Sequence, residues 1–472
     1  MSTVELNFSP LKPQKKSQQI IQQIRQLITS GNLKAGNKLP ATRSIATDLN
    51  VARGTVITAL DILIAEGLLI SKTGSGTFVT GEYIPYSASI SRPMFFPKPI
   101  HTVTANVDIP FKGQYNFQAC RPSMEVFPRN VWRKSASLAA SVLPQSDYDD
   151  PQGDLGLRQE IVAYLQRSRG LHVNLDEIII TNGAIHAMLI LAKLYIQKGD
   201  CVAFEDPGYP VARQVFKSAG ATIIDIAVDE DGMCVNDLPK DGGNIKLIYV
   251  TPSHQFPTGQ RLSYPRRTKL LEWASEHDVF ILEDDYDGEF RYDVPPLPPL
   301  AALCAKNHVV YFGTFSKTLF PSLRIGYAVT AKEVITEMQA YRTITDYQTN
   351  TLSQLTLKNF IEIGEFEKHI HRMRRIYAKK RQALKQAMIK HDFPGSLSGI
   401  DSGLNGLIKL HQGLSAEKIS KQALEQDIMI TPLSRYSKKH RYHPSALIIG
   451  YSALTMEQID QGIEILTAIA RG

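Results

Sequence analysis

Gly313-Thr314-Phe315-Ser316-Lys317-Thr318-Leu319-Phe320-Pro321-Ser322-Leu323-Arg324-Ile325-Gly326-Tyr327 follows directly on His308 to Phe312, an apolar run of the kind that forms a buried strand in a parallel sheet. Lys317 is therefore expected just past the carboxyl end of that strand, where ligands of open α/β sheets collect. A lysine in such a crevice, partly desolvated and close to a second cation such as Arg324, is available as a neutral amine that condenses with an aldehyde. Lysines are mostly exposed, so a Ser-Lys pair acquires meaning only if other strand ends supply matching groups.

They do. Helix Leu155 to Ser168 precedes a strand, Glu177 to Thr181, after which Asn182-Gly183-Ala184 opens the helix Ile185 to Gln197; a glycine turn at a helix N-terminus is a ready phosphate cradle. A strand over Cys201 to Glu205 ends in Asp206-Pro207-Gly208-Tyr209-Pro210, and another lies around Thr222 to Ala227. Ile245 to Val250 ends in Thr251-Pro252-Ser253-His254-Gln255-Phe256-Pro257-Thr258-Gly259, and Val279 to Leu282 ends in Glu283-Asp284-Asp285-Tyr286-Asp287-Gly288. Strands alternating with helices predict an α/β domain with a mostly parallel sheet.

Polar and aromatic groups thus gather past five strand ends. An amine, an acid for a ring nitrogen, a phosphate site and a ring partner are what an aldehyde cofactor with a pyridine ring and a phosphate requires, namely pyridoxal 5′-phosphate. Lys317 would form its Schiff base. Asp284 would keep the ring nitrogen protonated, because an adjacent carboxylate favours the charged form. Tyr286 would hydrogen-bond the ring oxygen and Tyr209 would stack on the ring. Arg324, Thr314, Ser316 and the amides of Gly183, Ala184 and Ile185 would hold the phosphate.

From about Tyr115 to residue 470 the chain resembles fold-type I aminotransferases of the class I/II group. The resemblance rests on Tyr148-Asp149-Asp150-Pro151-Gln152-Gly153 with Leu157-Arg158, Thr181-Asn182-Gly183, Asp206-Pro207-Gly208-Tyr209, Pro257-Thr258-Gly259, Asp284 with Tyr286, and Ser316-Lys317 with Arg324. It implies a small α+β C-terminal subdomain and a homodimer, since Tyr148 resembles the tyrosine that reaches the cofactor phosphate of the neighbouring subunit. Arg435, which begins the basic run to Arg441, is similar in place to the arginine that binds a substrate carboxylate; a solvated face is the alternative reading. Two positions depart from the enzymes. Phe256 stands where they have Asn before Pro-Thr-Gly, leaving His254 or Gln255 to replace it, and Asp284 and Tyr286 are two residues apart rather than three. His254 also reads as a structural hydrogen-bonder. Both departures bear on transamination more than on cofactor binding.

The N-terminal part has a different character. Residues 1 to 80 carry nine Lys or Arg against four Asp or Glu, and the resulting +5 is most of the chain's net +7. A basic unit ahead of a near-neutral one predicts a polyanion partner. Ile20, Ile21, Ile24, Leu27 and Ile28 mark a first helix, Ser17 to Thr29, with Ser17 as its cap. Pro40 to Leu49 predicts a second helix and Arg53 to Glu66 a third, followed by a hairpin around Ser71-Lys72-Thr73-Gly74-Ser75-Gly76. Two short helices joined by a tight turn, then a basic glycine-rich wing, describe a winged helix-turn-helix. Leu39-Pro40-Ala41-Thr42-Arg43, Leu49 to Val56, Glu66-Gly67-Leu68-Leu69 and Gly74 to Val79 resemble the winged helix of GntR-type bacterial regulators. That resemblance implies contacts to double-stranded DNA from Arg43, Arg53, Thr55, Lys72 and Gly74.

Between the halves, prolines 85, 93, 97, 99 and 110 punctuate a stretch without periodicity. The expected division is a DNA-binding domain over 1–80, a linker over 81–113 and an effector domain over 114–472. In the 472 residues, 43% are hydrophobic and 21% charged, as in soluble globular proteins. Met1 to Pro10 does not read as a signal peptide, and the most apolar helical stretch, Ala187 to Ile196, is short and interrupted by Lys193, so a cytoplasmic protein with no membrane partner is expected. Cys120, Cys201, Cys234 and Cys304 are scattered, which predicts neither a metal site nor disulfides.

A winged helix fused to an aminotransferase-like domain is the architecture of the MocR/GabR group of GntR regulators. The resemblance implies a homodimeric, cofactor-binding transcription factor rather than an enzyme, in which an amino effector or the cofactor itself biases DNA binding. The rival reading is a functional aminotransferase with an accessory DNA-binding domain.

Overall fold

The computed structural model describes residues 16–81, 111–142, 146–293, 295, 297–304, 308–437 and 445–472. The chain divides into two compact units at residues 100/101. The linker expected over 81–113 lies almost wholly outside the described residues.

In the first unit, helices Lys16–Thr29, Thr42–Asp48 and Arg53–Ala65 enclose a small core of Ile20, Ile24, Ile28, Ile45, Val56, Leu60 and Leu63. The hairpin Leu69–Lys72 with Gly76–Val79 adds Leu69 and Val79 to that core. Ser17 lies inside the first helix rather than at its cap, within the one- or two-residue latitude of such boundaries. The turn between the second and third helices needs a left-handed residue, which Asn50 supplies at φ 48.

The second unit is built on an eight-stranded sheet. Its order across the sheet is Ile178–Thr181, Gly326–Val329, Val309–Thr314, Phe280–Asp285, Ile245–Val250, Cys201–Asp206, Thr222–Asp229 and Gly232–Met233. Gly326–Val329 runs antiparallel to both neighbours and Gly232–Met233 antiparallel to Thr222–Asp229; the four ladders that join Val309–Thr314, Phe280–Asp285, Ile245–Val250, Cys201–Asp206 and Thr222–Asp229 are parallel. Side chains alternate between two cores, as a period of two dictates. Phe204, Tyr249, Leu282 and Phe312 face helices Ala184–Tyr195, Pro210–Ser218 and Lys332–Thr343, while Ala203, Ile248, Ile281 and Tyr311 share a core with helices Leu155–Arg169, Tyr264–Glu276, Thr351–Glu362 and the first half of Glu365–Lys390.

That last helix, 26 residues long, joins the layers. Phe366, Ile370, Met373 and Tyr377 belong to the large core, whereas Leu384, Ala387 and Met388 belong to the core of a C-terminal α+β layer. This layer has a four-stranded antiparallel sheet, Gly395–Ser398, Asn405–Leu410, Ala446–Gly450 and Thr431–Pro432, covered by helices Ala416–Glu425 and Met456–Arg471.

One boundary matters for the site. The strand expected to stop at Leu282 runs on to Asp285, because Glu283, Asp284 and Asp285 all have partners in the ladder to Val309–Thr314. Acidic residues are depleted in strands, which disguises the extension in the sequence. Consecutive carboxylates Asp284 and Asp285 consequently project to opposite faces of the sheet.

Candidate cofactor site and DNA-reading surface

Asp284, 6% exposed, ends up on the face that carries Tyr249. The Tyr249 hydroxyl donates to Asp284 Oδ2 at 2.7 Å, while Oδ1 is buried without any hydrogen-bond partner. Burial pushes the Asp284 carboxyl up to about 7; Tyr249 and Lys317 pull it back, and Asp285 and Asp287 reinforce the rise. A buried acid with one oxygen unfilled lacks a donor or a cation, and the N–H of a protonated pyridine ring is both. The donor set therefore fits the ring of pyridoxal phosphate. On the other face, Asp285 is held by Arg169 at 2.6 Å and by the Tyr311 hydroxyl at 2.7 Å.

The proposed phosphate end is equally specific. Gly183 has φ +89 and caps the helix that begins at Ala184, and a Cβ there would stand 3.1 Å from Arg324 Nη2. Only glycine gives the guanidinium this approach to the helix N-terminus. Arg324, in the left-handed region at φ 54, donates to the Asn182 carbonyl at 2.7 Å. Thr314 Oγ1 and Ser316 Oγ are 3.1 Å apart, and the Ser316 amide donates to Thr314 Oγ1 at 3.2 Å. The register aligns Gly326 with both Thr181 and Thr314, which puts these groups at one end of adjacent strands. Ala184 and Ile185 occupy the first turn of the helix, where amides are left free for an anion.

Tyr286 OH lies 2.9 Å from His254 Nδ1, which is also 3.0 Å from Asp287 Oδ2. Burial disfavours a protonated His254, but Asp287 and the backbone of Gly399 and Asn405 together outweigh it and the imidazole pKa is raised. The Leu404 amide donates to the same Asp287 oxygen at 3.1 Å, so the trio ties the site to the loop before Asn405–Leu410. Gln255 does not replace the missing Asn. Its amide donates to the carbonyls of Pro207 and Phe256, and its oxygen accepts from Thr258, so its polar atoms are committed to the loop. Phe256 instead sits among three tyrosine rings, with centroids 5.6 Å from Tyr209, 6.1 Å from Tyr286 and 5.4 Å from Tyr436.

Arg435 is exposed in the short 3-10 turn Leu433–Tyr436. That turn is pinned to the Tyr209 loop, since the Gly208 amide donates to the Tyr436 carbonyl at 3.1 Å and Ser437 Oγ lies 3.3 Å from Asp206 Oδ2. Tyr148 is 77% exposed, with its ring 4.7 Å from that of Tyr347.

Sequence reasoning missed three participants. Tyr249 reads as an ordinary strand aromatic. Glu205, whose carboxyl burial pushes up to about 7, accepts from Thr251 and orders the loop that carries His254. Cys120 is buried beside the site, with Sγ 3.1 Å from Asn405 Oδ1 and the thiol pushed up to about 12 by burial, against the pull of Lys317. Its φ of 60, rare outside glycine, is the kind of signal that no single sequence displays.

In the first unit, Arg43, Arg53, Lys72 and Gly74 are exposed and Thr55 is half-buried. Arg53 and Thr55 lie in the first turn of the third helix, and Arg53 Nε donates to Thr42 Oγ1 at 3.2 Å across the turn of the motif. Lys72 ends the first wing strand with Nζ 5.4 Å from the Phe78 ring, and Gly74, at φ +75, turns the hairpin. If Arg53 reads a guanine edge, Arg53→Ala costs about 1–3 kcal/mol at the cognate site and little elsewhere. If Lys72 contacts a phosphate, Lys72→Ala weakens all sequences similarly and flattens the salt dependence. Fluorescence anisotropy with cognate and scrambled duplexes over a salt series checks both; wild-type affinity in both variants removes helix three and the wing from DNA recognition.

Comparison with known proteins agrees with this geometry. Residues 118–466 match the family model of class I and II aminotransferases, and residues 16–79 match that of the bacterial regulatory proteins of the gntR family. The HTH-type transcriptional regulator YdeL of Bacillus subtilis is 33% identical over 96% of this chain and 96% of its own length. The probable rhizopine catabolism regulatory protein MocR of Rhizobium meliloti is 32% identical over 95% and 92%, and the pyridoxine biosynthesis regulator PdxR of Corynebacterium glutamicum 31% over 92% of each. Among solved structures, an archaeal alanine:glyoxylate aminotransferase superposes with a TM-score of 0.70 at 28% identity, over 76% of this chain and 90% of its own. With both family matches in place and relatives matched over nearly its whole length, the chain belongs to the MocR-type group of GntR transcriptional regulators, DNA-binding proteins whose second unit has the class I/II aminotransferase fold.

Proposed function

We propose that this regulator binds pyridoxal 5′-phosphate at Lys317, works as a homodimer and couples the state of that site to operator binding. The single observation that carries the reading is the unfilled, buried Asp284 Oδ1 near a half-buried lysine, in a chain that begins with a winged helix. When bound, the cofactor supplies an electrophilic aldehyde and an electron-withdrawing ring. Lys317 is the amine that reacts with it, and Asp284 holds the ring nitrogen's proton. Tyr286, backed by His254, meets the ring oxygen, and Tyr209 covers the ring face. Arg324, Thr314, Ser316 and the amides of Gly183, Ala184 and Ile185 bind the phosphate. Arg435, on a turn fastened to the Tyr209 loop, suits the carboxylate of an amino effector.

The division into residues 1–80, 81–113 and 114–472 belongs to the same proposal. So does the dimer. Tyr148 is far from buried in its own chain, and Leu138, Val142, Leu155, Ile344 and Leu352 are exposed apolar residues in neighbouring segments. A second copy covering them would bring Tyr148 to the partner's phosphate. Efficient transamination is disfavoured by Phe256, which puts an aromatic ring among Tyr209, Tyr286 and Tyr436 where the enzymes carry an amide.

Two winged helices on one dimer demand two half-sites on one face of the duplex. Inserting half a helical turn between them lowers affinity at least about tenfold, whereas inserting a whole turn restores most of it. Footprinting and mobility-shift titration with spacer variants measure this; a footprint on one half-site, or indifference to phase, rejects the coupling of the large unit to DNA geometry. Sustained conversion of an amino donor and a keto acid would favour the enzyme reading instead.

A further inference from the structure

The outward side of helix Arg53–Ala65 is poor both as helix and as a wetted surface. Its inward side is ordinary, with Val56, Ala59, Leu60 and Leu63 buried in the core of the first unit. The first two turns present Arg53, Gly54, Ile57 and Thr58 outward, all exposed. Glycine and β-branched residues are weak helix formers, and alanine, glutamate or lysine would serve stability and hydration better at such places. Ile57 is 38% exposed, and four residues on from Arg53 it is the neighbouring side chain on the same face. Because helical side chains lean toward the N-terminus, it covers the turn that Arg53 and Gly54 open.

This face has little hydrogen-bonding capacity. Thr58 Oγ1 donates to the Gly54 carbonyl at 3.0 Å, so its proton is spent on its own helix. Gly54 offers only backbone, and a Cβ there would meet nothing within 4 Å. Arg53 gives Nε to Thr42 Oγ1 at 3.2 Å, and its two terminal nitrogens bond no described residue. What the helix presents is therefore one guanidinium beside an isoleucine, with bare backbone that lets a partner come close. Ile62, 40% exposed, stands about 140° round the helix from Ile57 and more than a turn farther from the N-terminus, outside this surface.

In the major groove a guanine edge offers two acceptors to a guanidinium, and the apolar group of the groove is the thymine 5-methyl. Side chains four apart on a helix are separated by about 6 Å and successive bases by about 3.4 Å, so a base pair under Ile57 lies within two steps of one under Arg53. We propose that Ile57 is a specificity-determining residue that packs on the 5-methyl of a thymine within two base pairs of the guanine read by Arg53. The inference rests on helix three being the reading helix.

The test uses the full chain and the duplex that it selects from a randomised pool. Each thymine of that duplex is replaced singly by deoxyuridine, which keeps every hydrogen-bonding atom and removes only the methyl. By fluorescence anisotropy, one such replacement in each half-site weakens the wild type about threefold to fivefold, the worth of one buried methyl. Ile57→Ala binds the thymine and deoxyuridine duplexes alike, and Ile57→Val keeps part of the difference. Both variants fold, which thermal unfolding checks, since Ile57 is not part of the core. A duplex in which no replacement weakens binding, or a methyl effect of equal size in Ile57→Ala, overturns the inference. Arg53→Ala separates this failure from that of its premise. If Arg53→Ala loses affinity while no methyl effect exists, helix three reads DNA and only the role of Ile57 is rejected; if Arg53→Ala binds like the wild type, the reading helix and the inference fall together.

Discussion

Lys317→Ala yields a colourless protein that retains no cofactor after borohydride reduction and denaturation, whereas the wild type keeps one covalently attached. The expectation rests on placement. Lys317 lies three residues past a strand that ends at Thr314, its charge acts on both Asp284 and Cys120, and its neighbours Thr314 and Ser316 are hydrogen-bonded to one another. Retention of phosphate by Arg324 and the Gly183 turn does not depend on the amine, so the variant still binds cofactor weakly and reversibly. Mass spectrometry after reduction reads the linkage and equilibrium dialysis reads the residual binding. A reduced adduct on any other lysine sinks the assignment.

Asp284→Asn is expected to remove a pH dependence of stability. In the protein without cofactor, burial raises the Asp284 carboxyl from 3.8 to about 7. Because the folded-state value exceeds the unfolded one, the folded state binds the proton more tightly. That contribution is fully present below about pH 4 and is lost as pH rises toward 7 and beyond. Asn cannot ionise, so the variant lacks this loss, and relative to wild type it gains on the order of 2–4 kcal/mol between pH 4 and pH 8. Glu283, raised to about 7, titrates in the two proteins alike and cancels from the difference, whereas Glu205, also raised to about 7, feels the Asp284 charge and cancels only in part. Urea titrations of both unloaded proteins across this range measure it; parallel stability profiles would falsify the view that Asp284 is an uncompensated buried acid. With cofactor added the order reverses, because only the anion stabilises a protonated ring.

Much of this molecule is local information. The isoleucines of the first helix, the glycine-rich wing and the alternation of strands and helices are short-range patterns set by backbone geometry and burial, so both units and their order can be read from the chain. Lys317, Asp284, Arg324 and Gly183 are legible for a related reason, since strand ends are marked by where apolar runs stop, and the crevice of an α/β sheet lies at those ends. Tertiary structure alone decided what fills the space between strands. Whether Gln255 or His254 backs Tyr286 depends on which carbonyls and carboxylates a fold brings within 3 Å, and Gln255 loses because Pro207, from another strand end, takes its amide. Tyr249 meets Asp284, and Arg291 meets Ser402, across sequence separations of 35 and 111 residues, and register rather than composition sets such pairings. Cys120 joins the site because the fold holds it in a left-handed conformation against Asn405, a backbone state that its side chain does not prefer and that only the packing around it imposes.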